Sequence, residues 1–171
     1  MYFSEGGSQR DRRQLLVVCT ANVCRSPRVA ALIKRRLAEL GLDELIHVES
    51  AGVHARAGAA IDPVVLEILR AMSIQPAEHR ATPVVEAALV SADLVLVMEE
   101  AHRQALFYRL PAALPKIFML SEMAGRYEDV RDPFGQDMQT YQATLDHVTE
   151  LLEIGWPVII QKLKSTKKAG S

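Results

Sequence analysis

The chain has 171 residues, 49% of them apolar, which suits one domain with a sizeable core. Its 20 basic and 21 acidic side chains leave no basic field of the kind nucleic acid requires. Two cysteines, Cys19 and Cys24, are too few for a disulfide framework and point to a reducing, cytoplasmic compartment.

In chain order, residues 1–13 are polar, carry Gly6-Gly7-Ser8, and read as a flexible leader without the apolar run of a signal peptide. Leu15-Leu16-Val17-Val18 reads as a buried strand. A loop begins at Cys19. Ser26-Pro27 reads as a helix start, with Ser26 as the cap and Pro27 in the first turn. Val29, Leu32, Ile33, Leu37 and Leu40 recur at helical spacing, and Gly41 suits the helix end. Ile46 to Ser50 predicts a second strand, and Ala51-Gly52 leads into a loop. Asp62-Pro63 opens a second helix with Val65, Ile68, Leu69 and Met72 on one face.

Leu94 to Met98 predicts a third strand, 101–108 a helix and 116–120 a fourth strand. Asp132-Pro133-Phe134-Gly135 reads as a loop. Residues 138–153 form an amphipathic helix with Tyr141, Leu145, Val148, Leu151 and Leu152 facing inward. Gly155 and Pro157 interrupt that pattern, which is compatible with one final helix or two. Residues 14–161 make a single domain, and 162–171 a flexible basic tail. No apolar run approaches the roughly 18–20 residues of a membrane helix, so no membrane insertion is expected. Alternating strands and helices predict a three-layer α/β domain with a central parallel four-stranded sheet flanked by helices.

The loop after the first strand carries the chemistry. Ligands in such folds sit beyond the carboxyl ends of strands. A strand that ends, turns and enters a helix can aim successive amides at one anion. Thr20, Ala21, Asn22, Val23, Cys24 and Arg25 supply six such amides, and Arg25 adds a planar fork for two phosphate oxygens. The same positive potential favours an anionic, nucleophilic sulfur at Cys19. Ser26 is placed to donate a hydrogen bond to that sulfur. Asn22 tolerates the positive φ of a tight bend. The substrate's oxygen needs a general acid, and Asp132, held extended by Pro133, is the candidate.

Cys19 to Pro27 resembles the signature of the low-molecular-weight protein tyrosine phosphatases: Cys, five residues, Arg, then Ser or Thr and often Pro. Ser50-Ala51-Gly52, the strand Leu94 to Met98 preceded by Ala92-Asp93, and the pair Asp132-Pro133 extend the resemblance over residues 14 to 155. It implies Cys19 as nucleophile, Arg25 as phosphate clamp, and Asp132 as acid and later as base toward water. It further implies His79 as a brace of the loop through Asn22. By the same resemblance Cys24 is a redox partner of Cys19; by its residue type alone it is equally a small core hydrophobe. Ala21 stands where the family usually has glycine. Phe134-Gly135 replaces the paired tyrosines of eukaryotic members and looks closer to bacterial ones. Some of those act on tyrosine kinases of exopolysaccharide export, which makes such a kinase, or another tyrosine-phosphorylated protein, the expected partner. His54 and Phe134 are candidates for the pocket rim.

Three other readings compete. An arsenate reductase on this fold needs further cysteines, and none follows Cys24. A non-catalytic phosphotyrosine-binding module has no use for Cys19, Arg25 and Asp132 together. A phosphotransfer carrier gives no reason for Arg25. No metal is expected, since His47, His54, His102 and His147 lack ligand spacing and the cysteines are not a CxxC pair. No cofactor is expected either.

Overall fold

The computed structural model describes residues 12–165 apart from residue 77, so most of the expected leader and the end of the expected tail lie outside the described residues. Its elements are β1 (Arg13–Cys19), α1 (Arg25–Glu39), β2 (Ile46–Gly52), α2 (Pro63–Ala71), α3 (Glu86–Ser91), β3 (Leu94–Val97), α4 (Glu100–Arg109), a 3-10 turn (Pro111–Lys116), β4 (Ile117–Met119), α5 (Leu120–Met123) and α6 (Met138–Ser165). Arg13 begins β1 opposite Ile46 and Lys162 to Ser165 continue α6, although the sequence placed these residues in leader and tail.

All four strands are parallel, in the order β2-β1-β3-β4. β1 is buried on both faces, which is why it reads as an unbroken apolar run. Leu15 and Val17 pack into the core shared with α1, α2 and α6. Leu16 and Val18 pack on the opposite face with Leu89, Val95, Val97 and Leu106. The result is the expected three-layer α/β domain.

Strand order reverses at β1, with β2 on one side and β3 on the other. The crevice beyond the carboxyl ends of β1 and β3 is therefore the place for a ligand. The loop after β1 and residues 98–99 after β3 border it.

Local differences from the sequence reading have physical causes. Asp62 caps α2 as expected, accepting from the Val64 N–H at 2.8 Å. Ser26 does not cap α1. The N-cap is Cys24, with no side-chain bond, because the first amides of α1 face the loop's concavity. α6 continues through Gly155 and Pro157. A β-carbon on Gly155 would lie 2.7 Å from Met123 Cβ, so glycine is what lets α5 pack against α6. Pro157 is exposed, so the bond it removes is lost on the solvent side.

Arg28, on α1, is wholly buried. One of its nitrogens reaches Tyr141 O at 3.4 Å, while Nε and Nη2 have no partner among the described residues. Burial pushes its pKa down. A buried cation so poorly paired costs more than an apolar side chain of similar size. Arg28→Met is therefore expected to stabilise the fold by about 1–3 kcal/mol, read as a higher denaturant midpoint at unchanged slope.

Candidate active site

The loop between β1 and α1 is held by its carbonyls. Cys19 O accepts from Val53 N–H at 3.0 Å and Thr20 O from His54 N–H at 2.8 Å. Asn22 O is bonded by His79 Nε2 at 2.7 Å, and Val23 O accepts from Asp62 N–H at 2.8 Å. In a trans peptide the next N–H points opposite to the carbonyl. With these carbonyls tied to the surrounding scaffold, the amides of Thr20, Ala21, Val23 and Cys24 project the other way, toward the concavity. Gly52 at the end of β2 makes this possible. A β-carbon there would stand 2.5 Å from Thr20 O and 2.9 Å from Asn22 N.

Asn22 is buried with φ 55°, the tight bend the sequence assigned to it. Its Nδ2 donates to Ser26 Oγ at 2.8 Å and to Ser50 Oγ at 2.9 Å. Its Oδ1 accepts from Thr82 N–H at 2.8 Å. Ala21 is not among the residues with positive φ, so this position does not strain alanine.

Cys19 and Ser26 are both buried, with Sγ and Oγ 3.0 Å apart. Ser26 Oγ accepts from Asn22 Nδ2, and its proton can go to the sulfur at 3.0 Å or to the Ala51 carbonyl at 3.4 Å. Arg25 is 2% exposed. Its Nη1 pairs with Glu99 Oε1 and donates to Val130 O at 2.9 Å. Its Nη2 lies 3.2 Å from Asp132 Oδ2 and 3.3 Å from Thr20 Oγ1. One guanidinium thus joins the loop, the end of β3 and the 130–132 segment. Asp132 Oδ1 accepts from Phe134 N–H at 3.1 Å, and Pro133 is buried while Asp132 and Phe134 are exposed. His54 is exposed beside the loop, on the residue whose amide holds Thr20 O.

Cys24 is a buried free cysteine whose thiol burial pushes up to about 12, against the pull of Arg28. Sequence reasoning missed Glu99, His102, Val130 and the side chain of Thr20. The signal for Glu99 was its place just past the carboxyl end of a buried strand. His102 is buried in α4, with Nε2 2.8 Å from Thr20 Oγ1 and Nδ1 accepting from Glu99 N–H at 3.1 Å. Among the described residues, no three His, Cys, Asp or Glu side chains are grouped as a metal would need. No described helix is long and apolar enough to cross a membrane.

Residues 14–168 match the family model described as low molecular weight phosphotyrosine protein phosphatase. A protein-arginine-phosphatase of Bacillus subtilis is 37% identical over 139 residues, spanning 81% of this chain and 91% of the relative. A probable low molecular weight protein-tyrosine-phosphatase, EpsP of Ralstonia nicotianae, is 33% identical over 136 residues, 80% of this chain and 88% of its own. The crystal structure of a low molecular weight protein tyrosine phosphatase from T. tengcongensis superposes with a TM-score of 0.79 at 33% identity, covering 88% of this chain and 99% of that one.

Two outcomes follow from this geometry. Ala21→Gly is expected to lower stability by about 0.5–1 kcal/mol, because it adds freedom to the unfolded chain and relieves no strain; a denaturant titration reads it. Burial pushes the His102 pKa down to about 4, with Glu99, Asp129 and Asp132 pulling it up and Arg25 pushing it further down. Between pH about 6.5 and 4 the unfolded chain takes up this proton and the folded chain does not. His102 thus costs stability as pH falls through that window and costs none above it. The wild-type melting temperature should fall more steeply there than that of His102→Gln.

Proposed function

This chain belongs to the low molecular weight phosphotyrosine protein phosphatase family, and from that premise we propose that it hydrolyses phosphotyrosine in proteins, and small aryl phosphates, through a phosphocysteine. The observation that carries the reading is the contact of Arg25 with Asp132 at 3.2 Å, which supports it because a cation suited to phosphate and a candidate acid lie side by side.

In this mechanism the Cys19 sulfur attacks phosphorus in line, forming the S–P bond as the P–O bond to the tyrosyl group breaks. Loop amides and Arg25 stabilise charge on the equatorial oxygens. The phosphoryl dianion takes Arg25 Nη2 over from Asp132, which frees Oδ2 for the leaving oxygen. Asp132 takes up a proton from solvent as it leaves the guanidinium and gives it to that oxygen. It then takes a proton from water, whose oxygen attacks phosphorus. The S–P bond breaks, inorganic phosphate leaves, and Cys19 returns as thiolate with Ser26 donating to it. Asn22, Ser26 and His79 hold the loop, while His54 and Phe134 form the rim. Cys24 serves as redox partner to Cys19. No step calls for a metal or cofactor.

The exposed ring of Phe134 and the half-buried Val23 offer apolar surface to an aryl group, which ranks phosphotyrosine first. Phosphoarginine is the second reading, favoured by the Bacillus subtilis relative named as an arginine phosphatase. The protein substrate belongs to the same proposal: a tyrosine-phosphorylated protein, with a bacterial tyrosine kinase of exopolysaccharide export put first, met in the cytoplasm.

Phosphate release should be measured with chelator from matched phosphotyrosine, phosphoarginine and phosphoserine peptides. Turnover of phosphotyrosine is expected, abolished by Cys19→Ser and lowered about 10²–10⁴-fold in kcat by Asp132→Asn. Faster release from phosphoarginine would install the second reading. Binding without turnover would leave a phosphotyrosine-binding module.

A further inference from the structure

We propose that the Thr20 side-chain hydroxyl is a phosphoryl-binding donor in this site, and that His102 is the positioning residue that commits it to that role. The inference rests on the phosphatase reading above. It adds to it a group that the loop pattern leaves out, since the sequence assigns Thr20 only its backbone amide.

The assignment follows from where each proton must be. The Glu99 N–H donates to His102 Nδ1 at 3.1 Å, so Nδ1 carries a lone pair. A neutral imidazole then holds its hydrogen on Nε2. Nε2 lies 2.8 Å from Thr20 Oγ1, so the ring donates and the hydroxyl accepts. Arg25 Nη2 donates to the same oxygen at 3.3 Å. A hydroxyl has two acceptor lone pairs and one proton. Both lone pairs are taken, so the Thr20 proton is free only to be given away.

Its recipient is set by position. Thr20 directly follows Cys19 and is partly exposed. The Arg25 nitrogen that bonds it also contacts Asp132 Oδ2, so the hydroxyl sits where clamp and acid meet. An equatorial phosphoryl oxygen held by Arg25 is the acceptor that arrives there. Hydroxyls in water reorient between donating and accepting. This one is fixed as a donor before substrate binds, which is the condition for stabilising developing charge without reorganisation. Burial keeps His102 neutral, with its pKa down at about 4, so the tautomer holds throughout the physiological range. α4 thereby contributes to catalysis through a ring that touches no substrate.

The test compares Thr20→Val, Thr20→Ser, His102→Leu, His102→Gln and the double variant Thr20→Val/His102→Leu. Each is assayed for kcat and KM on a phosphotyrosine peptide and for inorganic phosphate binding by calorimetry, with thermal melts alongside. Thr20→Val should weaken phosphate binding and lower kcat/KM by about tenfold or more, as loss of a hydrogen bond to a charged group does. Thr20→Ser should recover part of that loss. His102→Leu should show a loss of similar size, and His102→Gln, whose amide can still donate to Oγ1, should recover part of it. In the double variant the two losses should not multiply. Unchanged phosphate affinity in a folded Thr20→Val, or losses that multiply, would overturn the proposal. Should His102→Leu fail to fold, Thr20→Val against Thr20→Ser, with His102→Gln, decides it. Wild-type protein that releases no phosphate would sink the phosphatase reading alone, because the phosphate titrations still measure the Thr20 donor.

Discussion

The site depends on one buried amide side chain. Asn22 bends the loop at φ 55° and ties it to Ser26 on α1, Ser50 on β2 and the Thr82 amide. Its own carbonyl is bonded by His79. The side-chain amide and the carbonyl of this residue are all bonded, and each such group would cost about 1–3 kcal/mol if left buried without a partner. That cost is why the bend is held rather than sampled. From it follows the outward set of the neighbouring carbonyls, and so the inward set of the amides. Gly52 completes the constraint, because no side chain fits between β2 and the Thr20 carbonyl.

Arg25 is the second constraint, and an electrostatic one. A guanidinium 2% exposed needs compensation, and Glu99, the Val130 carbonyl and Asp132 provide it. Glu99 is the more buried of the two carboxylates and Asp132 the more exposed. Under the proposed mechanism an incoming dianion displaces the contact that is easier to give up, so that Glu99 and Val130 keep Arg25 oriented while Asp132 is released toward the leaving oxygen. In that proposal the two acidic residues divide the work: one fixes the cation and the other transfers the proton.

Much of this was legible in the sequence because it is local. Cys19, Asn22, Arg25 and Ser26 lie within eight consecutive positions, and a strand before them with a helix after them dictates a turn that can present amides. Asp132 was legible through Pro133, which structures the residue before it. β1 and β3 were legible as apolar runs, since both of their faces are covered. What was hidden depends on register or on the third dimension. Glu99 and His102 reach the loop only because β3 lies beside β1, with Val97 opposite Val18. The helices at 86–91 and 120–123 are too short to show a period. Ser26 looked like a cap because its residue type suits one, but the thiol and Asn22 hold its hydroxyl instead. Gly155 and Pro157 looked like a break, yet one is a packing contact and the other faces solvent. Arg28 escaped notice because a charged residue next to an apolar stripe is ordinarily solvated.

The loop holds two sulfurs in opposite circumstances. Cys19 Sγ lies 3.0 Å from the Ser26 hydroxyl. Cys24, five residues on, is buried with its thiol pushed up to about 12. Burial thus favours the protonated thiol at Cys24. Under the proposed mechanism Cys19 attacks phosphorus, and Cys24, held as a thiol, does not compete with it for substrate. A disulfide between them needs a peroxide to convert Cys19 to the sulfenic acid. Cys24 thiolate then attacks that sulfur, and hydroxide leaves with the Cys24 proton as water. In that sequence Cys24 loses its proton against the penalty of burial, and the charge of Arg28 on α1 works the other way. In the proposed redox pairing of Cys19 and Cys24, the buried guanidinium that costs the fold stability is also the charge that favours the Cys24 thiolate. Stability and that proposed role pull in opposite directions at a single side chain.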